Sequence, residues 1–310
     1  MALDITYGLP ELQAVRAAAR SNNWPDLMNA ITVGVRDDED RAERVEVAVQ
    51  TMVSRWKTTV APDFEAYVGS LHGDATVLLL RGALEVERAW LVRGSALARY
   101  TSGDRFSGFH QGLHRAEEWL FASAELAPAD PSPWVWLLQL ARGLEIGPER
   151  TVERREELAK RSPYHFRGHY QAVMSVNPHW GYPADFTMRC AREWSEGHPD
   201  GSSTHALIHV ANFERWRRDN TGRPLHTDSA ALESARIAST RMNLAVCDRP
   251  GEILAHNYAA AWFSVIGDRK SAKPRFALVR GRLTQWPWGD IAHSPTSAYR
   301  SNRLRATLGF

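Results

Sequence analysis

AEEWLFASAELAPADPSPWVWLLQLA, residues 116–141, reads as two helices meeting at a turn. Ala116, Leu120, Ser123 and Ala127 recur at helical spacing, and Pro128, Asp130 and Pro131 then interrupt the run. A second helix starts at once. Ser132 is placed to cap it, Pro133 suits a first turn whose N–H has no intrahelical partner, and Trp134, Leu137, Leu138 and Ala141 form its apolar stripe. Two amphipathic helices separated by so short a break must close against each other.

Outward from this hairpin the chain keeps the same period. Upstream, short helices over 11–22 and 25–34 precede a longer one that begins in the acidic run Asp37–Asp40, where negative charge suits a helix N-terminus. A helix follows Pro62, His72-Gly73 stops it, and Asp74 is placed to cap a long helix from Ala75 to about Tyr100, in which Gly82 and Gly94 permit bends or close crossings. A turn at Thr101–Asp104 leads to the helix that enters the opening stretch. Downstream, Gly147-Pro148 turns into a charged helix, 149–161, so thin in apolar residues that it either lies outside a stack or covers a groove. Three further helices carry Phe166, Phe186 and Phe213, with a short aromatic loop from His179 to Tyr182 between the first two. A polar break from Arg217 to Asp228 precedes a tail with Ala259, Ala260, Phe263, Ala272 and Phe276 at hairpin spacing and a closing helix over 295–304.

The residues at 116, 120, 123 and 128, followed by Trp134 and Leu137, resemble the seam between two tetratricopeptide repeats, whose pattern W-x2-L-G-x2-Y, A-x3-F and P spans about 34 residues. Leu138 stands where that pattern has glycine and Ala141 where it has tyrosine, as in a diverged repeat. With Trp90, Arg93 and Gly94 upstream and Pro178, Trp180 and Gly181 downstream, residues 75–220 are also similar to an uncharacterised bacterial family of tetratricopeptide-like helical proteins. The resemblance implies an all-α fold, a right-handed stack of antiparallel helix hairpins (a TPR-like α-solenoid). N-terminal hairpins are then expected over 1–72, central repeats over 73–220, and a C-terminal hairpin with capping helices over 221–310, in one continuous array. Protein or peptide recognition in a concave groove is the function such a scaffold implies.

Composition narrows the remaining possibilities. Two cysteines, Cys190 and Cys247, give neither a metal spacing nor a disulfide framework, which suits a cytoplasmic protein. The N-terminus lacks a basic segment followed by an apolar core, and no run reaches the roughly 18 apolar residues of a membrane span, so no membrane association is expected. Phosphate loops, dinucleotide fingerprints, nucleophile elbows and zinc-protease motifs are all absent, and no cofactor is expected. Charge is uneven: residues 1–155 carry 17 basic against 22 acidic side chains, and residues 156–310 carry 21 against 14. Arg269, Lys270, Lys273, Arg275, Arg280 and Arg282 make a candidate basic surface, interleaved with Phe276, Trp286, Trp288 and Tyr299, of a kind that binds nucleic acid or acidic proteins.

Six of the 12 histidines form pairs at i, i+4 on expected helices: His110/His114, His165/His169 and His205/His209. Two imidazoles one turn apart can chelate a transition metal, and Glu117 and Glu118 extend the first stripe. A metal-dependent enzyme or metal-binding protein is therefore the alternative to peptide recognition. Against both stands the simpler reading, in which each pair only makes hydrogen bonds to neighbouring carboxylates and backbone.

Overall fold

Asp74 caps a helix as its position predicts: its carboxylate accepts the N–H of Thr76 at 2.8 Å and of Val77 at 3.0 Å. Asp37 does the same at the acidic run, accepting the Asp40 N–H at 3.0 Å. At residue 132 the cap is different. Pro131 already has helical angles, so Ser132 falls inside the helix and Asp130 accepts its N–H at 2.9 Å, while the Ser132 hydroxyl is buried without a partner.

The computed structural model describes residues 3–57, 59–71, 73–94, 103–218, 229–242 and 247–308, and these contain helices and turns with no strand. In chain order they are α1 (Pro10–Ser21), α2 (Trp24–Thr32), α3 (Asp38–Trp56), α4 (Pro62–Ser70), α5 (Ala75–Arg93), α6 (Gly103–Leu126), α7 (Ser132–Leu144) and α8 (Pro148–Arg161). There follow α9 (Phe166–Ser175), α10 (Ala184–Glu193), α11 (Leu207–Arg218), α12 (Ser229–Arg241), α13 (Pro250–Val265), α14 (Arg269–Val279), α15 (Trp288–Ile291) and α16 (Pro295–Leu308). The fold class is all-helical, as the opening stretch requires. Expected features at His72, at 95–102 and at 219–228 lie outside the described residues. Among the described residues no helix is long and apolar enough to cross a membrane.

Two compact units divide the chain within α9: Gly8–Ala172, and Val173–Phe310 together with Met1–Tyr7. The central segment read from the sequence, 73–220, straddles this division.

In the first unit α6 runs antiparallel to both α5 and α7, held at close range by small residues. A Cβ on Gly82 of α5 would stand 2.6 Å from Leu120 Cγ of α6, and one on Gly112 of α6 would stand 3.1 Å from Ala89 Cβ of α5. Farther along, a Cβ on Gly143 of α7 would meet Leu113 at 2.5 Å and Phe109 at 2.8 Å. The missing side chains let Leu113, Ala116 and Leu120 bury completely, and the Ser123 hydroxyl donates to Ala75 O at 2.7 Å. At the edge of the unit, buried Arg44 of α3 donates to Ala30 O, Val33 O and Gly34 O, closing the end of α2, and pairs with Asp40 at 3.0 Å.

The second unit is organised on α13, where every residue from Ile253 to Phe263 is buried. The rings of Phe276, Trp288 and Tyr299 pack on one another with centroids 5.3–5.6 Å apart, and Trp288 Nε1–H donates to Asn257 Oδ1 at 2.6 Å.

The crossing at Gly82 is expected to tolerate no side chain. Gly82→Val should lower the urea unfolding free energy by about 1–3 kcal/mol through overpacking. Gly69→Ala, at an exposed helical glycine with nothing within 4 Å of the added carbon, should hold stability or gain up to about 1 kcal/mol. Equal effects at the two sites would contradict the close-crossing account.

Candidate functional site

The hairpin of α6 and α7 has a groove beside it. Phe121 on α6 and Trp134 on α7 face each other across the turn, ring centroids 6.0 Å apart and nearly perpendicular. The charged helix α8 supplies the other wall, with Arg150, Glu153, Arg154, Glu156, Glu157 and Lys160, and with Glu117 of α6 these residues line an open groove of about 670 Å³. Arg154 fixes the helix in place: it ion-pairs with Glu117, donates to Leu137 O at 2.8 Å and stacks over Phe121 at 5.5 Å. Arg161 stacks over Trp134 at 4.9 Å and donates to Pro128 O at 2.6 Å. α8 thus forms one wall of this space, packed against α7.

Charge in this cavity is only partly neutralised. Glu117 is paired with Arg154, and Glu157 with Lys160 and Arg161. Those two bonds to Glu157 hold its carboxyl below the usual range. Glu153 and Glu156 are exposed on the same helix and make no ion pair among the described residues, and Arg150 is likewise exposed and unpaired. An aromatic floor with unneutralised carboxylates beside it can take an apolar side chain next to a basic one.

A second polar set lies on alternate helices of the same unit, where α3, α5 and α7 pack on one another. Gln139 of α7 donates to Glu87 of α5 at 2.6 Å, Gln171 of α9 donates to Gln139 at 3.0 Å, and Arg142 donates to Gln171 at 2.8 Å. Arg167 ion-pairs with Glu46 beside them. Burial raises the Glu87 carboxyl, with the Gln139 bond opposing it. These groups satisfy one another, so they stiffen the layer more than they invite a ligand. The signal in the sequence was a glutamine inside an otherwise apolar stripe, Gln139 between Leu138 and Leu140.

The histidine pairs stand in three different environments. His110 and His114 are exposed on α6, His110 against the rings of Phe106 and Phe109, and His114 with Nδ1 3.7 Å from Glu117; Glu118 is exposed. His165 and His169 are buried. His165 Nδ1 accepts from the Gly168 N–H at 3.2 Å. His169 accepts from Arg155 at Nδ1 and donates from Nε2 to Pro163 O at 2.8 Å, so both of its ring nitrogens are occupied. In the second unit His205 donates to Pro199 O at 3.0 Å, and His209 Nε2 meets the Ser239 hydroxyl at 3.1 Å. Among the described residues no group of three or more His, Cys, Asp or Glu is placed to hold a metal ion.

The candidate basic surface is smaller than its sequence suggested. Arg269, Lys270, Lys273 and Arg280 are exposed, whereas Arg282 is half-buried, donating to Val279 O and Cys247 O. Arg275 is a correction: it is 4% exposed, because it lies on the inward stripe of α14 with Ala272, Phe276 and Val279. The aromatic partners are corrected too, since Phe276, Trp288 and Tyr299 are core and only Trp286 of the four is exposed. Stacking of bases on that tail loses its platform.

One further cluster escaped the sequence reading. Glu214 of α11, fully buried, and Asp290 of α15 are bridged by Arg217 at 3.1 Å to each, and His179 Nε2 lies 3.8 Å from Glu214. Burial, with Arg217 and Arg218 adding to it, lowers His179 to about 4. Comparison of the chain with family models, with curated proteins and with solved structures gives no match.

His165, also lowered to about 4 by burial, and His179 set a pH dependence for the two units. Both folded values lie below the ordinary 6.5. The unfolded chain therefore takes up protons first, so the stability these groups contribute is full above pH 6.5 and is lost as pH falls towards 4. Each histidine is expected to steepen that loss by up to about 1.4 kcal/mol per pH unit. Urea midpoints measured across this window should fall, and His165→Gln should flatten the fall. A flat profile in the wild-type chain would contradict the burial of these imidazoles.

Proposed function

We propose that the chain recognises a short segment of a partner protein, and that the first unit does so in the cavity between α6, α7 and α8. In this reading the helices form a TPR-like right-handed stack, and the peptide lies along the face that carries Phe121 and Trp134. The observation that supports it most is the pairing of an aromatic floor with unneutralised Glu153 and Glu156 in a space of about 670 Å³. An extended peptide with an apolar residue beside a lysine or arginine complements both features. The acidic excess of residues 1–155 favours the same class of partner.

The polar set around Glu87 and Gln139 serves the reading as support for the layer behind the cavity. Among the described residues no metal donor set is gathered, and the tail shows no exposed aromatic row for nucleic acid.

Binding is tested by fluorescence polarisation with labelled peptides of about ten residues that vary the basic and apolar positions. Glu153→Lys/Glu156→Lys is expected to weaken the best binder by at least about fivefold, consistent with exposed ion pairs worth up to about 1 kcal/mol each. Phe121→Ala should weaken it by roughly 5- to 30-fold as an aromatic anchor. Salt near 0.5 M should weaken it further by screening, since the Debye length there is only about 4 Å. An affinity that neither substitution changes would rule out this cavity as the binding site.

A further inference from the structure

Arg269, at the start of α14, and Arg305, near the end of α16, line one open cleft of about 290 Å³ in the second unit. The packing of the two helices creates the space. Tyr299 of α16 packs edge-on against Phe276 of α14 with ring centroids 5.3 Å apart. One turn before Phe276 stands Ala272 and two turns after Tyr299 stands Ala306, both buried and both too small to fill the gap between their helices. Asn302 and the end of α13, Ser264–Gly267, complete the lining.

No acidic side chain lines the cleft, and both arginines are exposed with no hydrogen bond or ion pair among the described residues. They are not caps for α13. That helix closes on its own turn, Ser264 O accepting the Gly267 N–H at 3.1 Å and Phe263 O the Asp268 N–H at 2.9 Å. The acidic residue beside Arg269 in the chain, Asp268, is already engaged: it caps α14 by accepting the Ser271 N–H at 3.2 Å and pairs with Arg236 at 2.9 Å. Lys270, Lys273 and Arg300 add exposed charge of the same sign on the same two helices, with no ion pair among the described residues. Like charges gathered without a counter-charge repel, and an anion seated between them reverses the sign of that interaction.

We propose that this cleft binds a small phosphate monoester, with the phosphate held by Arg269 and Arg305 and the organic group against Ile266, Ala272 and Ala306. A guanidinium presents two parallel N–H groups that match two phosphate oxygens, and two guanidiniums match the nearly dianionic charge of such an ester at neutral pH. The volume lies at the lower end for small-molecule sites, which leaves room for a few carbon atoms beside the phosphate. The cleft belongs to the second unit, so the proposal does not rest on the peptide groove of the first.

Isothermal titration calorimetry of the full chain with propyl phosphate at constant ionic strength provides the test, with butyrate and inorganic phosphate as companion probes. Saturable one-to-one binding of propyl phosphate is expected, at least about tenfold tighter than butyrate, whose carboxylate brings a single charge. Arg269→Gln/Arg305→Gln should weaken it by at least about tenfold. Tm should hold in that variant, since neither side chain is bonded in the free protein. Lys273→Gln/Arg300→Gln, outside the cleft on the same helices, should change the affinity by less than about threefold through screened charge alone. An equal loss in both double variants would reduce the effect to diffuse positive charge and overturn the proposal. So would an affinity for butyrate or inorganic phosphate equal to that for the ester, an absence of saturation, or retention on phosphatidic acid vesicles without binding of the free ester.

Discussion

Everything in the first unit depends on how closely α6 approaches α5 and α7. The approach is possible because Gly82 and Gly143 sit where a side chain would collide with Leu120 and Leu113, and Gly112 where one would crowd Ala89. Close crossing buries the whole inner stripe of α6, and it also fixes α6 in rotation. Glu117 and Phe121 are thereby turned outward to meet α8 and Trp134. The cavity is a consequence of the core: the residues that close the hairpin on one side present the aromatic floor on the other.

Charge is handled differently in the two units. In the first, buried and half-buried ions are matched: Arg44 with Asp40, Arg154 with Glu117, Arg167 with Glu46. Burial would raise Asp40, but the Arg36 N–H and the Arg44 guanidinium outweigh it and hold the carboxyl below its ordinary value. In the second, no carboxylate pairs with buried Arg275 among the described residues, although Glu214 and Asp290 elsewhere in that unit are matched by Arg217. The buried histidines are kept neutral by desolvation in both units. Neutral imidazoles held by carbonyls and hydroxyls tie turns to helices, and this accounts for the i, i+4 pairs at 165/169 and 205/209.

Local pattern carried the fold class and many helix ends. Asp37 and Asp74 were legible as caps because a cap needs only a carboxylate three residues from the N–H it accepts. Ser132 was misread as a cap because helical angles at Pro131 moved the first turn back by one residue. Burial in the tail was harder to read. Arg275 shares its inward stripe with Ala272, Phe276 and Val279, and the basic sequence around it concealed that period. Contacts between distant residues left no local trace at all: Gln139 with Glu87 spans 52 positions and Arg41 with Asp130 spans 89. For the candidate site, three contributors, Glu117, Phe121 and Trp134, lie within the opening stretch, but the remaining wall depended on where α8 packs.

The central claim is that the face between α6, α7 and α8 is where a basic, partly apolar peptide binds. Hydrogen–deuterium exchange of the full chain, with and without the tightest such peptide, locates the site without any mutation. The account predicts that new protection is confined to residues 117–134 and 150–160. Protection centred instead on α3, α5 and α9, or on the second unit alone, would contradict it.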